Sequence, residues 1–120
     1  MSTIDGDRIS FLIRIALKSR VRRDVLLAIK RSEALLPIPE IARDSGHSSN
    51  QVVGALRGVE GQYDPELSLL RLQLVKEVVL MISTTRSRRV YKYTDNQAQR
   101  ALVENLLSRY EEIRSRARLA

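Results

Sequence analysis

Apolar residues recur at spacings of three and four along most of the chain, which is the period of an amphipathic α-helix. Ile9, Ile13 and Leu17 lie on one such face and predict an N-terminal helix over residues 6–17. A second apolar face begins beyond Ser19, and the two helices are either continuous or separated by a cap at Ser19. The first quarter of the chain is therefore expected to be helical.

Two further helices are predicted from local signals in the middle of the chain. Pro39 suits the first turn of a short helix, because its missing N–H would have no helical partner there. Gly46 suits the left-handed turn that ends this helix. Ser48 and Gln51 have the spacing of a capping box, in which each side chain bonds the backbone N–H of the other residue. The box predicts that the next helix begins there and covers residues 48–59.

The pattern changes after residue 59. Asp64 and Pro65 are typical of another helix start. Lys76–Thr84, in contrast, has the β-branched and aliphatic composition of a strand, and Val90–Thr94 alternates like a return strand. Residues 85–89 are therefore expected to form the tip of a β-hairpin.

A long C-terminal helix is predicted over residues 95–118, with Thr94 as its candidate cap. Its apolar residues follow the heptad spacing of helices that pack against a partner helix: Val103, Leu106, Tyr110, Ile113 and Ala117. At 120 residues the chain is expected to form one domain, with residues 19–94 as its core.

Basic residues are concentrated in two places. The formal net charge is +7, and residues 1–31 carry eight basic and three acidic side chains. Residues 32–85 are net acidic, whereas residues 86–94 hold four basic residues and no acid. A hairpin of this composition is typical of a loop that binds a polyanion, although a solvated hairpin tip is the alternative.

The order of helices, tight turn, helix and basic hairpin is that of a winged helix-turn-helix. Ala42, Gly46 and Val52 place small, flexible and β-branched residues where the two helices of that motif must cross closely. We therefore expect a mainly α fold with a small β-hairpin (α+β), in which N- and C-terminal helices flank a winged helix-turn-helix.

Three segments carry a resemblance to known regulators. GALRG, followed by YDPELSLLRLQLV and VYKYTD, resembles a set of small archaeal DNA-binding regulators, and residues 19–94 are similar more broadly to ArsR/MarR-like winged-helix proteins. The resemblance implies a homodimer that binds double-stranded DNA and regulates transcription. The chain departs from metal-sensing ArsR proteins, since it has no cysteine and one histidine, so neither a metal nor a cofactor is expected. Whether a small-molecule effector exists stays open.

Candidate DNA-binding residues fall into three groups. The predicted helix over residues 48–59 would be the recognition helix. It would place polar side chains in the major groove, where the four base pairs differ: Ser48, Ser49, Asn50, Gln51 and Arg57. The hairpin would contact phosphates or a narrow minor groove: Arg86, Ser87, Arg88 and Arg89. The second helix offers further phosphate contacts, although helix surfaces are often basic without binding anything: Arg20, Arg22 and Arg23.

The two terminal helices are expected to form the dimer interface. A C-terminal helix of this length extends beyond so small a core, which favours a partner helix. Packing of its apolar residues on their own domain is the alternative. The candidate interface residues are Ile9, Ile13, Val103, Leu106, Tyr110 and Ile113.

Other functional classes are less well supported. No Gly-rich phosphate loop, metal-ligand cluster or nucleophile–base motif is present, so no enzymatic activity or catalytic residue is expected. The sequence shows no signal peptide and no apolar run that could cross a membrane, which favours a cytoplasmic protein. A protein-interaction module in a larger assembly is the main alternative to DNA binding, and RNA binding is the next.

Overall fold

Five α-helices and one two-stranded antiparallel hairpin make up the described chain in a computed structural model, which covers residues 2–32 and 34–119. Side chains are described for residues 8–32 and 34–113. The elements are α1 (Ser2–Ala16), α2 (Arg20–Ser32), α3 (Ile38–Ser45), α4 (Ser49–Arg57), β1 (Val75–Met81), β2 (Ser87–Tyr93) and α5 (Gln97–Leu119). The expected mainly α fold with a small hairpin is confirmed.

The first two helices are separate. α1 ends at Ala16, and the Ser19 hydroxyl accepts the N–H of Arg22 at 3.3 Å in the first turn of α2. A serine cap therefore begins the second helix, as one of the two alternatives predicted.

Local signals explain the helix-turn-helix formed by α3 and α4. Gly46 has a φ of 76°, and its N–H donates to the carbonyl of Ala42 at 3.0 Å. Ser48 and Gln51 form both bonds of the capping box, at 3.2 Å to the serine hydroxyl and 3.0 Å to the glutamine oxygen. Both predictions are confirmed, because each depends on partners within a few residues.

The helix predicted after Asp64 is wrong. Asp64 does accept the N–H of Glu66, at 2.9 Å, but only a 3-10 turn over Pro65–Leu67 follows. The N–H groups of Leu69 and Leu70 donate instead to carbonyls at the end of α4, at 3.0 and 3.1 Å. These carbonyls would otherwise lack partners, so tertiary hydrogen bonding overrides the local helix signal.

We call the hairpin the wing. Its second strand begins earlier than predicted, at Ser87 instead of Val90. Met81 pairs with Ser87, so residues 87–89 belong to β2 and the tip covers residues 82–86. The Ser83 hydroxyl accepts the N–H of Arg86 at 3.1 Å and closes this tip. The expected tip at residues 85–89 is therefore displaced towards β1.

A short segment before α3 adds to the other edge of the wing. Leu36 and Tyr91 exchange two backbone hydrogen bonds, at 2.9 and 2.8 Å. This third strand position, with α2, α3 and α4, completes the winged-helix arrangement around one apolar core. The core includes Ile41, Val52 and Leu56, none of which is exposed.

The cap predicted for the last helix is wrong by two residues. Asn96, and not Thr94, accepts the N–H of Gln99 at 3.1 Å. The Thr94 hydroxyl accepts the N–H of Asn96, also at 3.1 Å, and so supports the turn that precedes α5. Within the described residues, no helix has both the length and the apolar character needed to cross a membrane.

Tyr93, at the root of the wing, predicts how stability depends on high pH. Burial raises the pKa of its phenol from 10.0 to about 12, and the hydroxyl has no hydrogen-bond partner among the described residues. The pKa of Tyr93 in the folded state lies above its unfolded value, so the protonated phenol contributes to the free energy of unfolding. This contribution is complete below pH 10 and is lost as the pH rises towards 12. We expect Tyr93→Phe to reduce the alkaline loss of unfolding free energy by about 2 kcal/mol.

Urea unfolding between pH 8 and pH 12 measures this effect, with Tyr110→Phe on α5 as the control that should keep the full alkaline loss. At neutral pH, Tyr93→Phe should be neutral or slightly stabilising, because it removes a buried hydroxyl that has no hydrogen-bond partner among the described residues. If the free energy of unfolding falls as steeply with pH in Tyr93→Phe as in the unaltered chain, the proposed role of the Tyr93 phenol is contradicted.

Candidate nucleic-acid interface

The first turn of α4 presents a small polar surface. Ser49 and Asn50 are exposed, as expected of residues that contact bases. Ser48 is exposed too, but its hydroxyl and its N–H are both used by the capping box with Gln51. The box also takes the amide oxygen of Gln51, which leaves the amide nitrogen of that side chain to donate.

The turn between α3 and α4 is attached to α2 by a histidine. His47 Nε2 lies 2.8 Å from Asp24 Oδ2, and Arg20 lies 3.7 Å from the same carboxylate oxygen. The sequence alone does not indicate this contact, because Asp24 and His47 are 23 residues apart. The contact fixes the N-terminal end of α4 relative to α2.

The other end of α4 is attached to the wing through one carboxylate. Glu77 Oε1 accepts from Arg57 Nη2 at 2.8 Å and lies 3.2 Å from Arg89 Nε. Arg57 also donates to the Tyr91 hydroxyl at 3.3 Å, and this hydrogen bond is the main cause that raises the Arg57 pKa. Arg57, which the sequence predicts as a base-contacting residue, therefore also holds α4 against β1 and β2, and 37% of its side chain is exposed.

The outer wing keeps two arginines available. Arg86 and Arg88 are exposed, and neither has an ion pair with any residue described here. Arg89 is held by Glu77, although 58% of its side chain is exposed. Ser87 is exposed at the first position of β2.

The three arginines of the basic cluster on α2 differ in exposure and in their contacts. Arg20 is exposed, whereas Arg22 is only 7% exposed and lies over the Tyr63 ring, 5.8 Å from its centroid. Arg23 donates to the carbonyls of Leu17 and Lys18 in the turn that follows α1, both at 3.0 Å. The prediction that Arg22 contacts phosphates is therefore corrected, because its side chain lies inside the protein.

The predicted interface residues of the two terminal helices also differ in exposure. Ile13, Val103 and Leu106 are buried in the core of the single chain, so they have no surface left for a partner and their assignment to a dimer interface is corrected. Ile9 and Ile113 are exposed by 41% and 63%. Tyr110 is half-buried, with the Arg23 guanidinium 4.1 Å from its ring centroid, and Ala117 lies outside the described side chains.

Three residues that the sequence did not single out contribute to these surfaces. Val53 is half-buried on α4, one turn beyond Asn50. Glu77 joins α4 to the wing. Phe11 is 62% exposed on α1, and only its large apolar side chain on the polar face of an amphipathic helix could have identified it.

No group of three or more potential metal-ligating side chains occurs in the part of the chain that is described.

Arg22 provides a test of how this side of the fold is stabilised. Burial lowers its pKa, and among the described residues its Nε has no hydrogen-bond partner and its guanidinium has no ion pair. We expect Arg22→Met to leave the free energy of unfolding unchanged or to raise it by about 1 kcal/mol, since an apolar side chain of similar volume avoids the desolvation of a cation.

Chemical unfolding measures this effect, and Arg57→Met is the matched control. Arg57 loses two hydrogen bonds on substitution, so the control should cost about 1 kcal/mol. A loss in Arg22→Met larger than that of the control would show that the buried guanidinium stabilises the fold.

Comparison with known families gives one match. The model of the EarA-like family matches residues 12–106 of the 120 in the chain, which include the whole helix-turn-helix and the wing. No curated protein and no solved structure matches the chain. This protein belongs to the EarA-like family.

Proposed function

We propose that this protein binds double-stranded DNA, with α4 in the major groove and the wing on the backbone or in the minor groove. The observation that carries the proposal is the link from Arg57 through Glu77 to Arg89. It fixes a helix with a polar exposed first turn relative to a hairpin whose outer arginines have no ion pair with the residues described. Major-groove side chains can distinguish all four base pairs, and a narrow minor groove attracts arginine.

Asn50 is the residue best suited to base reading. It is exposed in the first turn of α4, and an asparagine can form two hydrogen bonds with adenine. Ser49 beside it suits a shorter contact, and half-buried Val53 suits apolar contact with a thymine methyl group. The N–H groups of Ser49 and Asn50 have no acceptor within the helix, so a phosphate can bind there.

Phosphate contacts are assigned to the exposed arginines alone. Arg86 and Arg88 on the wing have no competing ion pair among the described side chains, and Arg20 at the start of α2 has 73% of its side chain exposed. Such contacts supply affinity and its dependence on salt, while contacts with base edges supply sequence preference.

The biological role proposed is transcriptional regulation, as the resemblance to ArsR/MarR-like proteins implies. A regulator of this kind occupies a promoter, so we place it where the chromosome is accessible, in the cytoplasm. Membership of the EarA-like family is compatible with this relationship to ArsR/MarR-like proteins, which stays part of the proposal.

Fluorescence anisotropy with genomic duplexes tests DNA binding and separates the two kinds of contact. Arg86→Ala with Arg88→Ala should weaken binding to every duplex and reduce the slope of log K against log salt by about 2 for each protomer bound, because each protomer loses two phosphate contacts. Asn50→Ala should instead cost about 1–3 kcal/mol for each half-site of the preferred duplex and little on other duplexes.

The matched control removes two exposed arginines outside the motif, Arg14 on α1 and Arg109 on α5, by replacement with alanine. It changes the net charge equally and should leave most of the salt slope in place. DNA binding is rejected if no duplex binds in a salt-dependent way. Stoichiometric capture of a protein partner under those conditions would favour the interaction-module alternative.

We further propose that the protein acts as a homodimer through the exposed apolar residues of its terminal helices. Phe11, Ile9 and Ile113 are 62%, 41% and 63% exposed. Side chains of this size on two flanking helices are typical of an interface that a second copy covers. A two-fold arrangement would also place two copies of α4 about 34 Å apart, one turn of DNA.

Analytical ultracentrifugation of Phe11→Ser with Ile113→Ser tests this interface. We expect the double variant to dissociate at least tenfold more readily than the unaltered dimer. Leu35→Ser, which alters a residue 40% exposed outside both terminal helices, is the control. A chain that is monomeric at every concentration, or a dimer unaffected by the double variant, would refute the proposed interface.

A further inference from the structure

The outer half of β1 and the start of the tip expose apolar side chains that the core does not use. Val79, Leu80, Met81 and Ile82 are exposed by 53%, 42%, 68% and 64%, whereas Val75 at the root of the same strand is 2% exposed. We call these four consecutive residues the apolar edge of the wing. The root of the hairpin is about 20 Å from its outer end at the rise of an antiparallel strand, so the apolar edge extends away from the core.

Basic side chains lie directly across the hairpin from this edge. Leu80 pairs with Arg88 and Val79 pairs with Arg89. Paired residues of an antiparallel hairpin point to the same face, so each face of the outer wing carries an apolar side chain beside an arginine. No acidic residue occurs in residues 78–94.

The charge of the wing favours a polyanion over a second copy as the occupant. In the described chain, β1 pairs only with β2 and its other edge is free, and an uncovered apolar edge strand is normally paired or covered. Pairing of two wings would bring together six arginines, with Glu77 as the one acid in each hairpin. The DNA minor groove accepts both features, because its phosphates attract arginine and its base steps admit apolar wedges.

We propose that the apolar edge enters the minor groove and that Met81 and Ile82 wedge between base pairs, which bends the duplex. This inference rests on the proposed function of DNA binding. Met81 is suited to the role because methionine is unbranched and adapts to irregular gaps. Since Glu77 attaches the root of the wing to α4, the bend would lie at a fixed distance from the bases that α4 contacts.

A bending assay on bound DNA tests the wedge separately from binding. The probe is a duplex of roughly 30 base pairs, long enough for two half-sites one turn apart, recovered by selection of genomic fragments on the full chain. Dyes on its two ends report bending by energy transfer, and 2-aminopurine at successive TA and CA steps reports unstacking, since these steps kink most readily. Anisotropy on the same samples reports binding.

The unaltered chain should bring the duplex ends together and raise 2-aminopurine fluorescence severalfold at one step. Met81→Ser with Ile82→Ser should abolish both signals while DNA still binds, with affinity reduced about tenfold or less. Met81→Leu with Ile82→Val should keep both signals, because it preserves apolar side chains. Leu35→Ser, which alters an exposed apolar residue outside both the wing and the proposed dimer interface, should also keep them.

Each other outcome is decisive. Binding of the unaltered chain without bending or unstacking overturns the wedge and leaves the proposed function intact. Failure to bind any duplex overturns both. If Met81→Ser with Ile82→Ser instead converts a DNA-free dimer into a monomer, a second copy covers the apolar edge and the wedge is overturned.

Discussion

Tyr91 joins the helix-turn-helix to the wing through both its backbone and its side chain. Its N–H and C=O exchange hydrogen bonds with Leu36, at 2.8 and 2.9 Å, which attaches the segment before α3 to β2. Its ring is fully buried, and its hydroxyl accepts from Arg57 at the end of α4. One residue thus contacts the segment that enters the motif, the last residue of α4 and the root of the wing. These three parts move together unless buried apolar area and several hydrogen bonds are lost.

This constraint gives different roles to arginines that are close in sequence. Arg57 and Arg89 share the carboxylate of Glu77, at 2.8 and 3.2 Å, and their charge is used to hold α4 and the wing together. Arg86 and Arg88 are exposed on the outer wing, and neither has an ion pair with a described residue. Under the proposed function, positioning and phosphate binding are therefore carried by separate residues. Under the same proposal, a count of the basic residues in this wing would overstate its number of phosphate contacts.

The features predicted correctly are those whose partners are close in sequence. The Ser48–Gln51 capping box and the Gly46 turn need only a few neighbouring residues, so spacing alone identifies them. The helix expected after Asp64 did not form, because backbone groups of α4 from an earlier part of the chain take its N–H groups. The partners of Arg57 are 20 and 34 residues away, and local spacing carries no information about them. The arginines of α2 likewise became distinguishable only once Tyr63 was placed over one of them.

The exposed polar surface of α4 is short. It therefore limits the sequence selectivity that hydrogen bonds to DNA bases could provide. Asn50 is its one exposed amide side chain, since Gln51 is partly used by the cap. A bidentate contact discriminates by roughly 1–3 kcal/mol, so one asparagine in each half-site would supply about 2–6 kcal/mol. Specific sites are commonly bound about 4–10 kcal/mol more tightly than other DNA. Under the proposed function, the remainder has to come from the shape and deformability of the site. The apolar edge of the wing would then contribute to selectivity, because a sequence that resists bending would bind less well even where α4 finds its preferred bases.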